Sequence, residues 1–251
     1  MSPKIKDNRV GEISLNTYKS KMTIIKYSGR NNVLVKFDNG YEIETRYSRF
    51  KSGEVENPYD KSTYSIGYLG EGIYNNNGIV KPYKKQYDTW HRMLQRCYDE
   101  NYQDTRPTYI GCTVCEEWHN FQNFAKWYDE NFYEIEDHRM ELDKDILFKG
   151  NKVYSPETCV FVPNRINSLF IKSNAKRGDY PIGVSYDNKN NKYMASGKNV
   201  YLGYYNTVKE AFNTYKEYKE KLIKQIANQY KNIIPQKLYD AMYSYEVEIT
   251  D

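Results

Sequence analysis

The residues most able to do chemistry lie in ELDKDILFKGNKVYSPETCVFVPNRIN, residues 141–167. Two carboxylates, Asp143 and Asp145, flank Lys144 in a strand-like LDKDI. A polar loop, an SPE turn and an Asn-bearing segment follow. Two readings fit. One is an ordinary hairpin with exposed charges, packed under a helix. The other is a metal site on a ββα unit. There, hard oxygen or imidazole ligands, one from the hairpin and one from the following helix, hold Mg²⁺ or Mn²⁺. The ion then polarises a phosphate and stabilises its leaving oxygen.

The second group able to bind a metal is the cysteines. Cys112 and Cys115 form a C-x-x-C pair, while Cys97 and Cys159 stand alone. Two such pairs are the usual signature of structural zinc. One pair and two singles leave two options open: Zn²⁺ held by all four, or four buried reduced thiols, the preferred reading because free cysteine is among the most buried residue types.

These residues need elements to hold them. TIIKYSG and NVLVKFDNGYEIETRY alternate apolar and polar residues with period two, which predicts strands, and the Asn39-Gly40 step predicts a hairpin turn. Four or five such strands suggest a small barrel. Residues 56–82, rich in Gly, Asn and Pro, read as a linker or an ordered loop. Trp90, Met93, Leu94 and Cys97 fall on one face of a helix. Trp118, Phe121, Phe124, Trp127 and Tyr128 do the same in a second helix over EEWHNFQNFAKWYDENF. Both stripes are read as core. LDKDILF then predicts a strand, VYSPETCVFV leads to another, and PNRINSLFIK predicts a helix with Pro in its first turn. IGVSYD, KYMASG and VYLGYYN predict three strands. Thr207 with Glu210 predicts a capping box at the head of a long amphipathic helix. The closing YDAMYSYEVEITD carries no clear pattern.

Composition bounds the rest. The chain has 251 residues, and tyrosine contributes 28 of them, so the aliphatic core is modest and several small domains are expected. No apolar run reaches membrane-spanning length, and MSPKIKDNRVGEISL lacks a signal peptide's apolar core. A cytoplasmic location without a membrane partner is therefore expected, with reduced cysteines. Residues 1–80 carry a net +3, residues 81–170 a net −3 and residues 171–251 a net +4. Basic ends around an acidic middle suit nucleic acid at the ends and a cation in the centre; a solvated surface gives the same totals.

Four spaced motifs over residues 89–167, TWHRMLQRCY, TVCEEWHNFQNF, LDKDI and YSPETCVFVPNRIN, resemble the HNH (His-Me finger) endonucleases in the divergent form found in phage-encoded proteins. The resemblance implies that Asp143 and Asn167 bind the metal and that Asn151 orients the hairpin. It also puts Lys144 where the general-base histidine belongs. Lysine is a poor base unless burial lowers its pKa strongly. His138, His119 or Asp145 would then have to activate water, or the site does not cleave.

A second resemblance covers residues 180–218. Gly183-Val184, Lys192-Tyr193-x-Ala195, Tyr201-Leu202-Gly203-x-Tyr205 and Thr207 with Glu210-Ala211 are similar to the Apetala-type (ethylene-response-factor) DNA-binding domain. It implies a three-stranded sheet lying in the major groove. Lys189, Lys192, Lys198 and Tyr201 are the expected DNA contacts. Ser185 and Asp187 stand where that family carries basic residues.

The expected fold is thus multidomain α+β. It comprises a small β-barrel (1–58), a linker (59–82), a helical plus ββα-metal domain (83–172), a three-stranded sheet with one helix (178–232) and a tail (233–251). Three functions compete. The first is a metal-dependent endonuclease of phage or homing type acting on double-stranded DNA in a bacterial host's cytoplasm. The second is a non-cleaving DNA binder on the same fold. The third is a phage protein that inhibits a host defence component, a reading that the tyrosines suit because tyrosine is enriched at interfaces.

Overall fold

The computed structural model describes residues 8–75, 82–171 and 179–251. It is mixed α and β and falls into two compact units, Met1–Glu130 and Asn131–Asp251. The division lies inside the segment read from sequence as one central domain.

In the first unit, β1 (Ile13–Leu15), β2 (Lys21–Tyr27), β3 (Val33–Phe37) and β4 (Glu42–Thr45) form an antiparallel meander in that order. The expected barrel is corrected here: among the described residues β1 and β4 do not pair, so the sheet stays open. The reason lies in what covers it. Phe50 of α1 (Tyr47–Ser52) and Val55 pack onto Met22, Ile24, Val33, Val35 and Phe37, so the apolar face is buried without closing the sheet on itself. The β3–β4 turn uses Gly40 at φ +94, as the Asn39-Gly40 step predicts.

Residues 76–81 of the expected linker lie outside the described residues. The stretch before them is docked: the Tyr68 N–H donates to the His119 carbonyl at 2.9 Å, and the Phe121 N–H donates to the Tyr68 carbonyl at 2.9 Å. The predicted helical faces are both buried. Trp90, Met93, Leu94 and Cys97 line one side of α2 (Lys84–Tyr98). A short α3 (Glu100–Thr105) follows, capped by Asp99. The second predicted helix is shorter than the pattern implies. Residues Glu116–His119 form a 3₁₀ turn, Asn120 is extended (ψ 118), and α4 spans Phe121–Asn131. Trp118 keeps its place in the core through ring contacts of 5.1 Å with Phe124 and 4.7 Å with Trp127.

The second unit has two small sheets. β6 (Met140–Asp143) pairs antiparallel with β8 (Val160–Pro163), and α5 (Asn164–Asn167) follows. Val153–Tyr154 (β7) of this unit is two residues long, as is Thr113–Val114 (β5) of the first unit. The predicted strand LDKDILF stops at Asp143 and the predicted helix PNRINSLFIK is a single turn. The other sheet has the order β11-β10-β9, with β9 Val184–Asp187, β10 Lys192–Gly197 and β11 Val200–Tyr205. The helix α6 (Val208–Tyr230) begins at the predicted capping box, both of whose hydrogen bonds are present.

α6 serves two cores. Ala211, Phe212 and Tyr215 near its start pack with Val184 and Ala195 of the sheet. Ile223, Ile226, Ala227 and Tyr230 near its end pack with Val160 and Val162 of the hairpin and Ile166 of α5. At 1.5 Å per residue the helix is about 34 Å long, enough to carry both. The patternless tail holds α7 (Gln236–Tyr243), whose Leu238 and Met242 complete the second core.

Gly183 marks the tightest point of the sheet–helix contact. Its φ is +79, and a Cβ there would fall inside the Tyr215 ring. Gly183→Ala adds left-handed strain to overpacking and is expected to cost about 2 kcal/mol or more. Thermal unfolding of the full chain checks this, and an unchanged midpoint would refute it.

Candidate functional site

The hairpin first. Strand alternation puts Glu141 and Asp143 on one face of β6. Their cross-strand partners, Val162 and Val160, belong to the core shared with Ile166 of α5 and with α6. The two carboxylates therefore lie on the face covered by α5. The Asn167 amide of that helix donates to Glu141 Oε2 at 2.5 Å, and Glu141 Oε1 takes the Arg139 guanidinium at 2.6 Å. Asn167 was matched with Asp143 on sequence grounds, but the hydrogen bond it makes is to Glu141. Glu141 was missed, although its position two residues before Asp143 was the available signal.

Asp143 is occupied locally. Its Oδ1 accepts the N–H groups of Asp145 at 2.9 Å and Ile146 at 2.8 Å. This turn ends β6, because a side chain that takes the next two free N–H groups competes with the strand ladder. Burial, and then the charge of Asp145, push the Asp143 carboxyl up to about 6, against the two N–H bonds and Lys144, which pull it down.

Lys144 is buried, with 7% of its surface exposed. Its ammonium sits 3.2 Å from Asp145 Oδ2 and 5.7 Å from the centre of the Tyr154 ring. The amine is thus engaged by a carboxylate and by an aromatic face. Asn151 holds the loop as expected. Its amide donates to the Lys144 and Val153 carbonyls, each at 2.7 Å.

The histidines are also engaged. His138 Nε2 lies 2.9 Å from the Tyr230 hydroxyl of α6. His119, in the first unit, has Nε2 3.1 Å from the Val114 carbonyl. Asp145 is exposed and pairs with Lys144. Among the described residues, no three His, Cys, Asp or Glu side chains gather to hold a metal ion. Cys97, Cys112 and Cys159 are buried, Cys115 is half-buried, and none is in a disulfide.

The three-stranded sheet presents a different surface. Its helix side carries Val184, Ala195, Tyr193 and Tyr205. The register places Ser185, Met194 and Tyr204 together on the other side, with Asp187 opposite Lys192. A bulge at Ala195/Ser196 precedes the pair Ser196–Tyr201. Tyr201 is 60% exposed and its ring lies 5.5 Å from that of Tyr204. Asp187 is consumed structurally: it accepts the Tyr204 hydroxyl at 2.6 Å and the Lys189 N–H at 2.9 Å, and these and other hydrogen bonds hold its carboxyl below the ordinary range. Lys189 sits in the β9–β10 turn and Lys198 in the β10–β11 turn, both exposed. Burial, and then the charge of Lys198, hold Lys219 of α6 below the ordinary lysine value.

No family model, curated protein or solved structure matches the chain.

The Asp143 carboxyl gives a pH test. Its folded value of about 6 lies above the ordinary 3.8, so the folded state binds the proton more tightly. Its contribution to stability is present at low pH and lost as pH rises from about 4 to about 6. Asp143→Asn keeps an oxygen for the two N–H groups and removes the titration. The variant is expected to gain thermal stability over the wild type at pH 7, a gain that shrinks by pH 4. Parallel melting curves that differ equally at both pH values would refute it.

Proposed function

We propose that the chain is a double-stranded-DNA-binding protein that uses the open face of its three-stranded sheet, on a nuclease-like framework that does not cleave. The observation that carries the non-cleaving part is the engagement of the Lys144 amine by Asp145 and Tyr154. The residue standing where a general base would be needed is a lysine with other partners, and Asn167 is bound to Glu141.

The sheet supports the binding part. β10 has six residues and spans about 17 Å, against a major groove about 12 Å wide. Lys189 and Lys192 lie at one end of it and Lys198 with Tyr201 at the other. The lysines can reach phosphates on the two groove walls while Met194, Ser185 and Tyr204 lie over base edges. Lysine–phosphate contacts position the protein and make binding salt-dependent; they carry little sequence information.

A second reading, metal-dependent cleavage with Mg²⁺ or Mn²⁺, is supported by Glu141 and Asp143 on one face with an amide from α5 beside them. The two readings separate in one experiment. Fluorescence anisotropy on a short duplex is expected to show binding that weakens steeply between about 50 and 200 mM salt. Lys189→Ala, Lys192→Ala and Lys198→Ala each lower the salt slope by about 1. Plasmid incubated with Mn²⁺ stays intact. Nicking that disappears in Asp143→Asn and Glu141→Gln would establish the second reading. A shallow slope unaffected by the lysine variants would sink the first.

A further inference from the structure

The first unit has a cleft of about 450 Å³ lined by Asn39, Gly40, Tyr41, Tyr59 and Glu71. That volume falls within the usual range for ligand clefts. Its walls are two tyrosine rings, centres 6.2 Å apart and 70° between planes, so they form a corner. Glu71 closes the corner: its Oε2 accepts the Tyr59 hydroxyl at 2.7 Å.

The corner is built before any ligand arrives. Tyr41 is backed by the core residue Phe37, ring centres 6.1 Å apart. Tyr68 stands 6.0 Å behind Tyr59. The buried Asn57 ties the two walls together: its Oδ1 accepts the Tyr59 N–H at 3.1 Å and the Asn39 amide at 3.3 Å. Asn39 in turn accepts the Tyr41 N–H at 3.1 Å.

The charge is negative. Burial raises the Tyr41 hydroxyl first, and the carboxylates of Glu71 and then Glu56 raise it further. Among the described residues, no lysine or arginine pairs with Glu71 or lies over Tyr41 or Tyr59.

A cation over a tyrosine ring occurs elsewhere in this unit, once with a carboxylate on the tyrosine hydroxyl. Arg9 lies 4.5 Å from the centre of the Tyr47 ring, and the Tyr47 hydroxyl donates to Glu12 at 3.0 Å. Arg106 stacks on Tyr102 at 4.9 Å and Arg96 on Tyr109 at 5.4 Å. In these three contacts of the first unit the cation is a guanidinium, whereas contacts in the second unit use an ammonium, as for Lys149 over Tyr245 at 5.2 Å and Lys224 over Tyr243 at 5.6 Å.

We propose that the Tyr41–Tyr59–Glu71 corner receives an arginine side chain presented by a partner polypeptide. The flat, weakly hydrated guanidinium stacks on one ring, its edge meets the second, and an N–H reaches the free Glu71 Oε1. This site is separate from the DNA-binding reading and does not rest on it.

The test uses the full chain, labelled with ¹⁵N, and three short peptides alike except for one residue: arginine, lysine or trimethyllysine. The arginine peptide is expected to give saturable shifts at the Tyr41, Tyr59 and Glu71 amides. Tyr59→Ala is expected to weaken it by about tenfold, and Glu71→Gln by a smaller factor. Tyr59→Phe keeps the ring and is expected to retain most of the affinity, which covers the case in which the alanine variant misfolds. The proposal is overturned by no saturable shift, by lysine or trimethyllysine binding as well as arginine, by unchanged affinity in Tyr59→Ala, or by complete loss in Tyr59→Phe.

Discussion

The second unit depends on one helix having two apolar segments. Near its start α6 offers Ala211, Phe212 and Tyr215, and near its end Ile223, Ile226, Ala227 and Tyr230. A three-stranded sheet has one face to bury and cannot do so alone, and a two-stranded hairpin is marginal in water. Both obtain their covering from the same helix. The residues that sequence divides into two modules, one nuclease-like and one sheet-like, therefore share a single support. The C-terminal stretch reinforces this. Lys149 of the hairpin loop binds Asp251 at 2.8 Å, while Lys216 of α6 donates to the Val247 carbonyl at 2.8 Å.

Much of this was legible. The period-two runs marked β2, β3, β4 and β9 to β11 because their alternation reports a face that must be buried. Thr207 and Glu210 marked the head of α6 because a capping box satisfies two otherwise unpaired N–H groups. Two misreadings share a cause: side chains that capture backbone groups. Asp143 takes two N–H groups and ends a strand that hydrophobic pattern alone would continue. Asn120 accepts the Gln122 N–H at 3.0 Å and separates a 3₁₀ turn from α4 where the aromatic spacing runs on. The barrel was misjudged for another reason. Period tells that a face is buried, not whether a sheet or a helix such as α1 buries it.

Asparagine recurs as the residue that fixes irregular backbone. Asn16, 5% exposed, accepts the N–H groups of Tyr18 and Ser20 and donates to Val55 and Asp60. Asn57 ties two loops at the tyrosine corner, and Asn151 clamps the hairpin loop. One amide can donate twice and accept twice, so a single buried side chain can hold two segments that have no ladder of their own. These three asparagines have defined structural work.

In the hairpin, the residues that hold the structure differ from those that the proposed reading assigns to chemistry. Framework and chemistry draw on different residues. Asn151, Leu142, Val160, Val162 and Ile166 hold the turn and the core, and none of them needs a metal or a base. Catalysis asks for a proton acceptor and free ligands, and these are the positions with other engagements. Lys144 faces Asp145 and Tyr154, Asn167 faces Glu141, and Glu141 also holds Arg139. A buried ammonium that keeps its carboxylate is tolerated, whereas removing one partner leaves a charge without compensation. Lys144 and Asp145 are thus coupled: a change at either alone leaves the other without this partner, so the pair belongs to the hairpin's structure whatever chemistry the hairpin performs.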